Sequence, residues 1–209
     1  MHDDISKAIQ ESRKIVIKIG SNTLAKADGT QNTEFMADFA RQCADLIKGG
    51  KQIVLVSSGA QVAGVSTTKE WARKKDVHYR QALCSIGQVE LMHQWRKAFQ
   101  AQNLHIGQLL LTKDDFENEH RSLNIRNTLF TLVDEGVIPI INENDSVSFD
   151  EIKIGEANSF GTGGIETKIQ AAEKTTVYGI PLLLANGSKE NALENLKNGL
   201  SNGTLFLVE

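Results

Sequence analysis

Short β-branched apolar runs alternate along this chain with longer stretches whose apolar residues return at three- and four-residue intervals. That alternation is the pattern of strands joined by crossover helices in a parallel sheet. KIVIKIG (Lys14 to Gly20) reads as a buried strand and QIVLVSSG (Gln52 to Gly59) as the next. Between them, Thr33 to Lys48 carries Phe35, Phe39, Cys43, Leu46 and Ile47 on one helical stripe, and Gly49-Gly50 ends it. A helical region from about Tyr79 to Gln102 leads into HIGQLLLT (His105 to Thr112). A further helix, from about Arg121 to Glu135, leads through Gly136 into VIPIINEN (Val137 to Asn144). Pro139 interrupts that last run and predicts a strand start or an edge strand, because proline has no N–H for a central ladder. Beyond it follow a short strand EIKIG (Glu151 to Gly155), a glycine-opened helix (Gly161 to Gly179) and a strand IPLLLANG (Ile180 to Gly187). A helix from Glu190 to Asn198 and a terminal strand GTLFLVE complete the series. With no internal repeat, linker or low-complexity tract, residues 1–209 read as a single α/β domain.

Composition narrows the partners. A chain that is 40% hydrophobic and 23% charged is an ordinary globular one. At this length folding hides roughly 70% of the surface of the open chain, so neither disulfide nor structural metal is needed for stability. Basic and acidic residues number 23 and 26 and are interspersed, which argues against nucleic acid and anionic membranes as partners. No apolar run approaches the roughly 18 residues of a membrane span, and the polar, acidic start does not look like a targeting peptide. Cys43 and Cys84 fall on helical segments without metal or redox spacing and read as packed thiols in a reducing compartment, with the cytoplasm as the expected location. The five histidines are scattered without ligand spacing, so no metal site of the chain's own is expected. Asp114, Asp115, Glu117 and Glu119 read as a solvated loop and helix start. Trp71 and Trp95 read as packing or interface residues.

In open parallel sheets ligands bind beyond the carboxyl ends of the strands. There the first strand delivers Lys18, Gly20 and Ser21, the second Ser58 and Gly59, the fourth Asn142 and Asp145. Small residues allow amides to approach an anion closely, although a Gly-Ser or Ser-Gly pair alone is also an ordinary turn. Lys18 breaks an apolar run in which a buried ammonium needs an anionic partner; the other reading is a lysine that reaches past the sheet to solvent or a structural carboxylate. GTGGIETK opens a helix with three glycines, which form a nest of amides through Thr162, Gly163 and Gly164, and sets Lys168 on the first turns. It is not a Walker A sequence. Two lysines and several amide nests, with no poised cysteine or histidine nucleophile, suit phosphoryl transfer, whose main difficulty is crowded negative charge.

In this order, IVIKIGSNTL, VLVSSGA, QLLLT, PIINENDSVS and GTGGIETK resemble the amino acid kinase family, from about Lys14 to Phe206. The INEND and GTGG elements are similar to the branch that phosphorylates the side-chain carboxylate of L-glutamate, at the start of proline synthesis. The resemblance implies a three-layer α/β/α sandwich around a mainly parallel sheet, with ATP as co-substrate accompanied by Mg2+ held mainly by its phosphates. It implies that Lys18 meets the transferring phosphate beside Gly20 and Ser21, and that Lys168 counters nucleotide charge with Thr162, Gly163 and Gly164. Ser58 and Gly59 would bind glutamate, and Asn142 and Asp145 would orient its polar groups. Feedback inhibition by proline and a homo-oligomer, dimer or tetramer, are implied as well.

The chain departs from the family after Gly155. Where members continue into Asp-Asn-Asp, this sequence reads Glu156, Ala157, Asn158, Ser159, and only EANSF stands before GTGG, an apparent internal deletion near 155–161. Members carry there a helix, a strand and a loop for the adenine nucleotide. The chain also ends at the family's kinase domain, so no RNA-binding-like C-terminal domain is expected. Two readings follow: a glutamate kinase in which the skipped segment is present in the molecule, or a truly deleted, inactive glutamate- or proline-binding relic or oligomerisation partner. Another member of the family, acting on acetylglutamate or a small phosphonate, is a third.

Overall fold

The computed structural model describes residues 2–69, 73, 76–148, 165–201 and 203–207, which fall into two compact units, 14–161 and 1–13 with 162–209. Among the described residues the first unit holds four strands, β1 (Lys14–Ile19), β2 (Gln52–Ser57), β3 (His105–Leu111) and β4 (Val137–Glu143). They form one parallel sheet in the order β1-β2-β4-β3. The second unit comprises α1 (His2–Glu11), α8 (Ile165–Val177), α9 (Ala192–Lys197) and the antiparallel pair β5 (Leu182–Ala185) and β6 (Gly203–Phe206). The two last predicted strands therefore exist, and they pair with each other as an antiparallel ribbon. EIKIG lies outside the described residues.

In the first unit β1, β2 and β3 are each followed by helix: α2 (Ser21–Leu24) and α3 (Thr33–Lys48), α4 (Ala60–Thr68) and α5 (Val77–Gln100), then α6 (Lys113–Glu117) and α7 (Glu119–Asp134). Side-chain caps set the starts. Asn32 Oδ1 accepts from Phe35 N at 3.2 Å, and Asp76 Oδ1 accepts from Tyr79 N at 3.1 Å, which fixes the start of α5 at Val77.

Alternation in the strands assigns the layers. Ile53, Leu55 and Ser57 are buried on the face of α3 and α5, where Trp95 Nε1 donates to Ser57 Oγ at 2.9 Å and the Trp95 ring packs against Phe39 and Phe99. On the opposite face Lys14 Nζ sits 4.3 Å from the Phe130 ring centroid of α7, and a Cβ at Gly107 would come 3.0 Å from Leu132. Helices on both faces of a parallel sheet make the layered α/β/α arrangement expected from the sequence.

Pro139 is neither a strand start nor on an edge strand. It is a fully buried residue inside β4, an interior strand paired with β3 from Val137 to Glu143. The ladder from β4 to β2 begins only at Ile140, opposite Leu55, so the proline precedes that pairing and interrupts none of it.

Helices α4 and α5 approach each other backbone to backbone at two glycines. A Cβ built on Gly87 would stand 1.8 Å from the Ala60 carbonyl oxygen, and one on Gly64 would stand 2.0 Å from that of Leu83. Only glycine permits such backbone contact.

Candidate active site

The parallel register brings the strand ends level. Ile19 lies opposite Ser57, Val56 opposite Ile141, and Leu111 opposite Glu143. Past the strands, Ser58 N donates to the Ile19 carbonyl at 3.0 Å and Asn144 N to that of Leu111 at 2.9 Å. Lys18, Gly20, Ser21, Ser58, Gly59, Asn142 and Asp145 are thereby collected along one carboxyl edge of one sheet.

Gly59 turns β2 into α4. Its φ of +104° is a conformation that disfavours any side chain, and a Cβ there would press Leu24 at 3.0 Å. The turn places the first amides of α4, which have no acceptor within the helix, at this edge beside Ser58. Gly20, before α2, has open space where a Cβ would stand, room in which an anion could meet the backbone.

The Asn142 to Ser148 segment is held by α5. Asn142 Nδ2 donates to Gln88 Oε1 at 2.7 Å, Ser85 Oγ lies 3.0 Å from Ser146 Oγ, and Gln81 Nε2 donates to the Asp145 carbonyl at 3.0 Å. Ser148 Oγ hydrogen-bonds Glu143 Oε1 within the segment. Gln81, Ser85 and Gln88 are spaced four and three apart, so they form one polar stripe on a helix that otherwise buries Leu83, Cys84, Leu91 and Trp95. This clamp is absent from the reading of the sequence. Its signal was available, as uncharged polar residues at helical spacing on a face expected to be apolar.

Lys18 lies on β1, the strand that reads as buried from its apolar run. Its side chain is exposed, on the face of β1 that also carries Lys14 and Val16, β1 standing at the edge of the sheet among the described residues. Its ammonium is therefore not buried, and no ion pair holds Lys18 among the described residues. By strand parity Lys18 belongs to the α7 face and Asn142 to the α5 face, so they reach the common edge from opposite sides of the sheet. Lys168 lies on α8 in the second unit, also exposed, whereas Thr162, Gly163 and Gly164 fall outside the described residues.

The residues read as structural keep that role. Asp115 Oδ2 accepts from Thr112 N at 2.8 Å and from Thr112 Oγ1 at 2.9 Å, closing the end of β3 onto α6, and Asp115 Oδ1 lies 3.0 Å from Arg121 Nη1. The Thr112 N–H and hydroxyl, with Arg121, hold the Asp115 carboxyl below the usual aspartate range. Cys43 and Cys84 are buried and form no disulfide, and burial pushes the Cys43 thiol up. Trp71 lies outside the described residues. Among the described residues no three His, Cys, Asp or Glu side chains gather as a metal site, and no helix is long and apolar enough to cross a membrane.

Comparison with known proteins bears on the same region. The model of the amino acid kinase family matches residues 13–151, from the start of β1 to just past the Asn142 segment. A protein of Alkaliphilus metalliredigens named glutamate 5-kinase is 46% identical over 259 residues, covering 97% of this chain and 98% of its own. A second, from Alkaliphilus oremlandii and bearing the same name, is 43% identical over 262 residues, with 98% and 100% covered. Since 97% of 209 residues is about 203, roughly fifty of the 259 aligned positions have no residue of this chain opposite them. A solved structure titled as isopentenyl phosphate kinase superposes with a TM-score of 0.55 at 10% identity, over 90% of this chain and 97% of that one, a likeness of fold alone.

Proposed function

Since the chain belongs to the amino acid kinase family, among its glutamate 5-kinases, we propose that it transfers the γ-phosphoryl group of ATP to the side-chain carboxylate of L-glutamate, the first step of proline synthesis. The observation that carries this reading is the gathering of Ser58, Gly59, Asn142, Asp145 and Lys18 at one sheet edge in a chain of that family.

The chemistry asks little beyond placement and charge. The attacking carboxylate is already a nucleophile at neutral pH, so no general base is needed, and the obstacle is two anions forced together. In this reading Ser58 and the amides around Gly59 hold glutamate, while Asn142 and Asp145 orient its polar groups. Lys18, a flexible point charge without an ion pair among the described residues, meets the transferring phosphate beside Gly20 and Ser21. Lys168 counters nucleotide charge, with Thr162, Gly163 and Gly164 supplying amides. Magnesium enters with the ATP phosphates, which supply most of its oxygen ligands. Proline as an inhibitor at the glutamate site, a homo-oligomer and a cytoplasmic location belong to the same proposal. Ile86 and Val89, exposed on α5, give such an assembly an apolar surface.

Hydroxylamine trapping tests it, because an acyl phosphate is converted to a hydroxamate. With Mg·ATP the hydroxamate should form from L-glutamate and far more slowly from N-acetylglutamate; equal rates would overturn the glutamate assignment. Mg·ATP should also raise the melting temperature. Stabilisation by glutamate or proline alone, without hydroxamate, would favour a binding protein that does not transfer phosphate.

A further inference from the structure

Asn142 is 8% exposed, and its carboxamide is held from one side only. The Gln88 oxygen takes the Asn142 amino group at 2.7 Å, and among the described residues nothing donates to the Asn142 oxygen. A carboxamide is symmetric in shape but not in chemistry, so whichever group fixes its amino end decides what its oxygen can do. Gln88 itself shows a one-sided arrangement. Its Nε2 is shut away from solvent and finds no acceptor among the described residues. A buried N–H without a partner is unfavourable, and such a group calls for an explanation. Here the explanation is the other end of the same side chain, which is kept on Asn142.

We propose that Gln88 is a positioning residue for substrate selection: by accepting from Asn142 Nδ2 it presents the Asn142 oxygen as an acceptor for the α-ammonium group of an amino acid. The inference rests on the proposed function, in which Asn142 orients the polar groups of glutamate. It adds how the site tells an α-amino acid from the plain dicarboxylate of the same length. Without Gln88 the Asn142 amide is free to turn, and its amino group would then oppose the ammonium. The neighbouring polar contacts, the Ser85 hydroxyl with that of Ser146 and Gln81 with the Asp145 carbonyl, hold other parts of the segment and leave this choice to Gln88.

Calorimetric binding of L-glutamate and of glutarate, which lacks the amino group, tests the proposal in the intact chain without ATP. Gln88→Met keeps length and helix propensity and removes both polar ends; Gln88→Glu keeps an oxygen acceptor at the same reach. Gln88→Met should bind L-glutamate roughly tenfold more weakly, the scale of one hydrogen bond to a charged group, and bind glutarate as the wild type does. Gln88→Glu should keep a glutamate-to-glutarate ratio at or above that of the wild type. An unchanged ratio in Gln88→Met, in a protein that melts like the wild type, overturns the positioning role and leaves the proposed function standing. An equal loss for both ligands also overturns it, by showing a merely structural contact. Failure of the wild type to bind L-glutamate at all overturns the proposed function, and this inference with it.

Discussion

At the α4–α5 corner of the sheet edge, backbone meets backbone. Gly64 and Gly87 let the helices touch, Trp95 bonds Ser57 in the core, and the stripe of Gln81, Ser85 and Gln88 grips the segment after β4. At the β1 corner almost nothing is gripped: Lys18 is exposed, and Val16 beside it is 66% exposed. The contrast follows from two different tasks. Recognising a small zwitterion needs donors and acceptors fixed within tenths of an ångström, which close packing and buried hydrogen bonds supply. Neutralising charge that moves during phosphoryl transfer needs reach, which a lysine on a four-carbon stem supplies.

The largest effect is expected at Lys18. Lys18→Met should lower the turnover of L-glutamate roughly a thousandfold, about 4 kcal/mol of barrier, with an unchanged melting temperature because the side chain is exposed. Lys168→Met should behave in the same way. Turnover like that of the wild type in either variant, read by hydroxamate formation, would remove that lysine from the charge-stabilising role. At the packed corner the effect should appear in stability instead. Gly87→Ala drives a methyl group into the Ala60 carbonyl and should lower the unfolding free energy in urea by about 3 kcal/mol, with weaker glutamate binding as the α5 stripe shifts. Trp95→Phe removes the buried bond to Ser57 and some ring volume, a loss of about 2 kcal/mol in the same measurement.

The smallest effect concerns Asp115, on the solvated third strand end. Its carboxyl is held below the ordinary value by Thr112 and Arg121, so its contribution is full above the unfolded aspartate pKa, about pH 4, and is lost as pH falls through the lower folded value. Unfolding curves of the wild type and Asp115→Asn should differ at neutral pH and converge in acid.

Much of this corner was legible in the sequence, and the reasons for the gaps are physical. Strands β1 to β4 and helices α3, α5 and α7 follow from local periodicity, and the strand ends carry Gly20, Ser58, Gly59 and Asn142 where the parallel-sheet rule places ligand residues. Strand order is not a local property. Nothing near Lys14 to Ile19 tells an edge strand from a central one, so KIVIKIG reads as a buried strand although Lys14, Val16 and Lys18 are exposed, and Pro139 reads as an edge marker although β4 is interior. The clamp on Asn142 joins residues 54 positions apart, beyond any window of periodicity. The α5 stripe became interpretable only once Asn142 stood opposite it.

The division of labour between the two corners is tested most directly by the affinity of Lys18→Met for L-glutamate, measured by calorimetry. Binding should stay within about twofold of the wild type, well under the 1.4 kcal/mol of a tenfold change, in a variant that no longer forms acyl phosphate. A loss of glutamate affinity in step with the loss of transfer would contradict it, and would place Lys18 in the recognition of substrate rather than in the handling of phosphate charge.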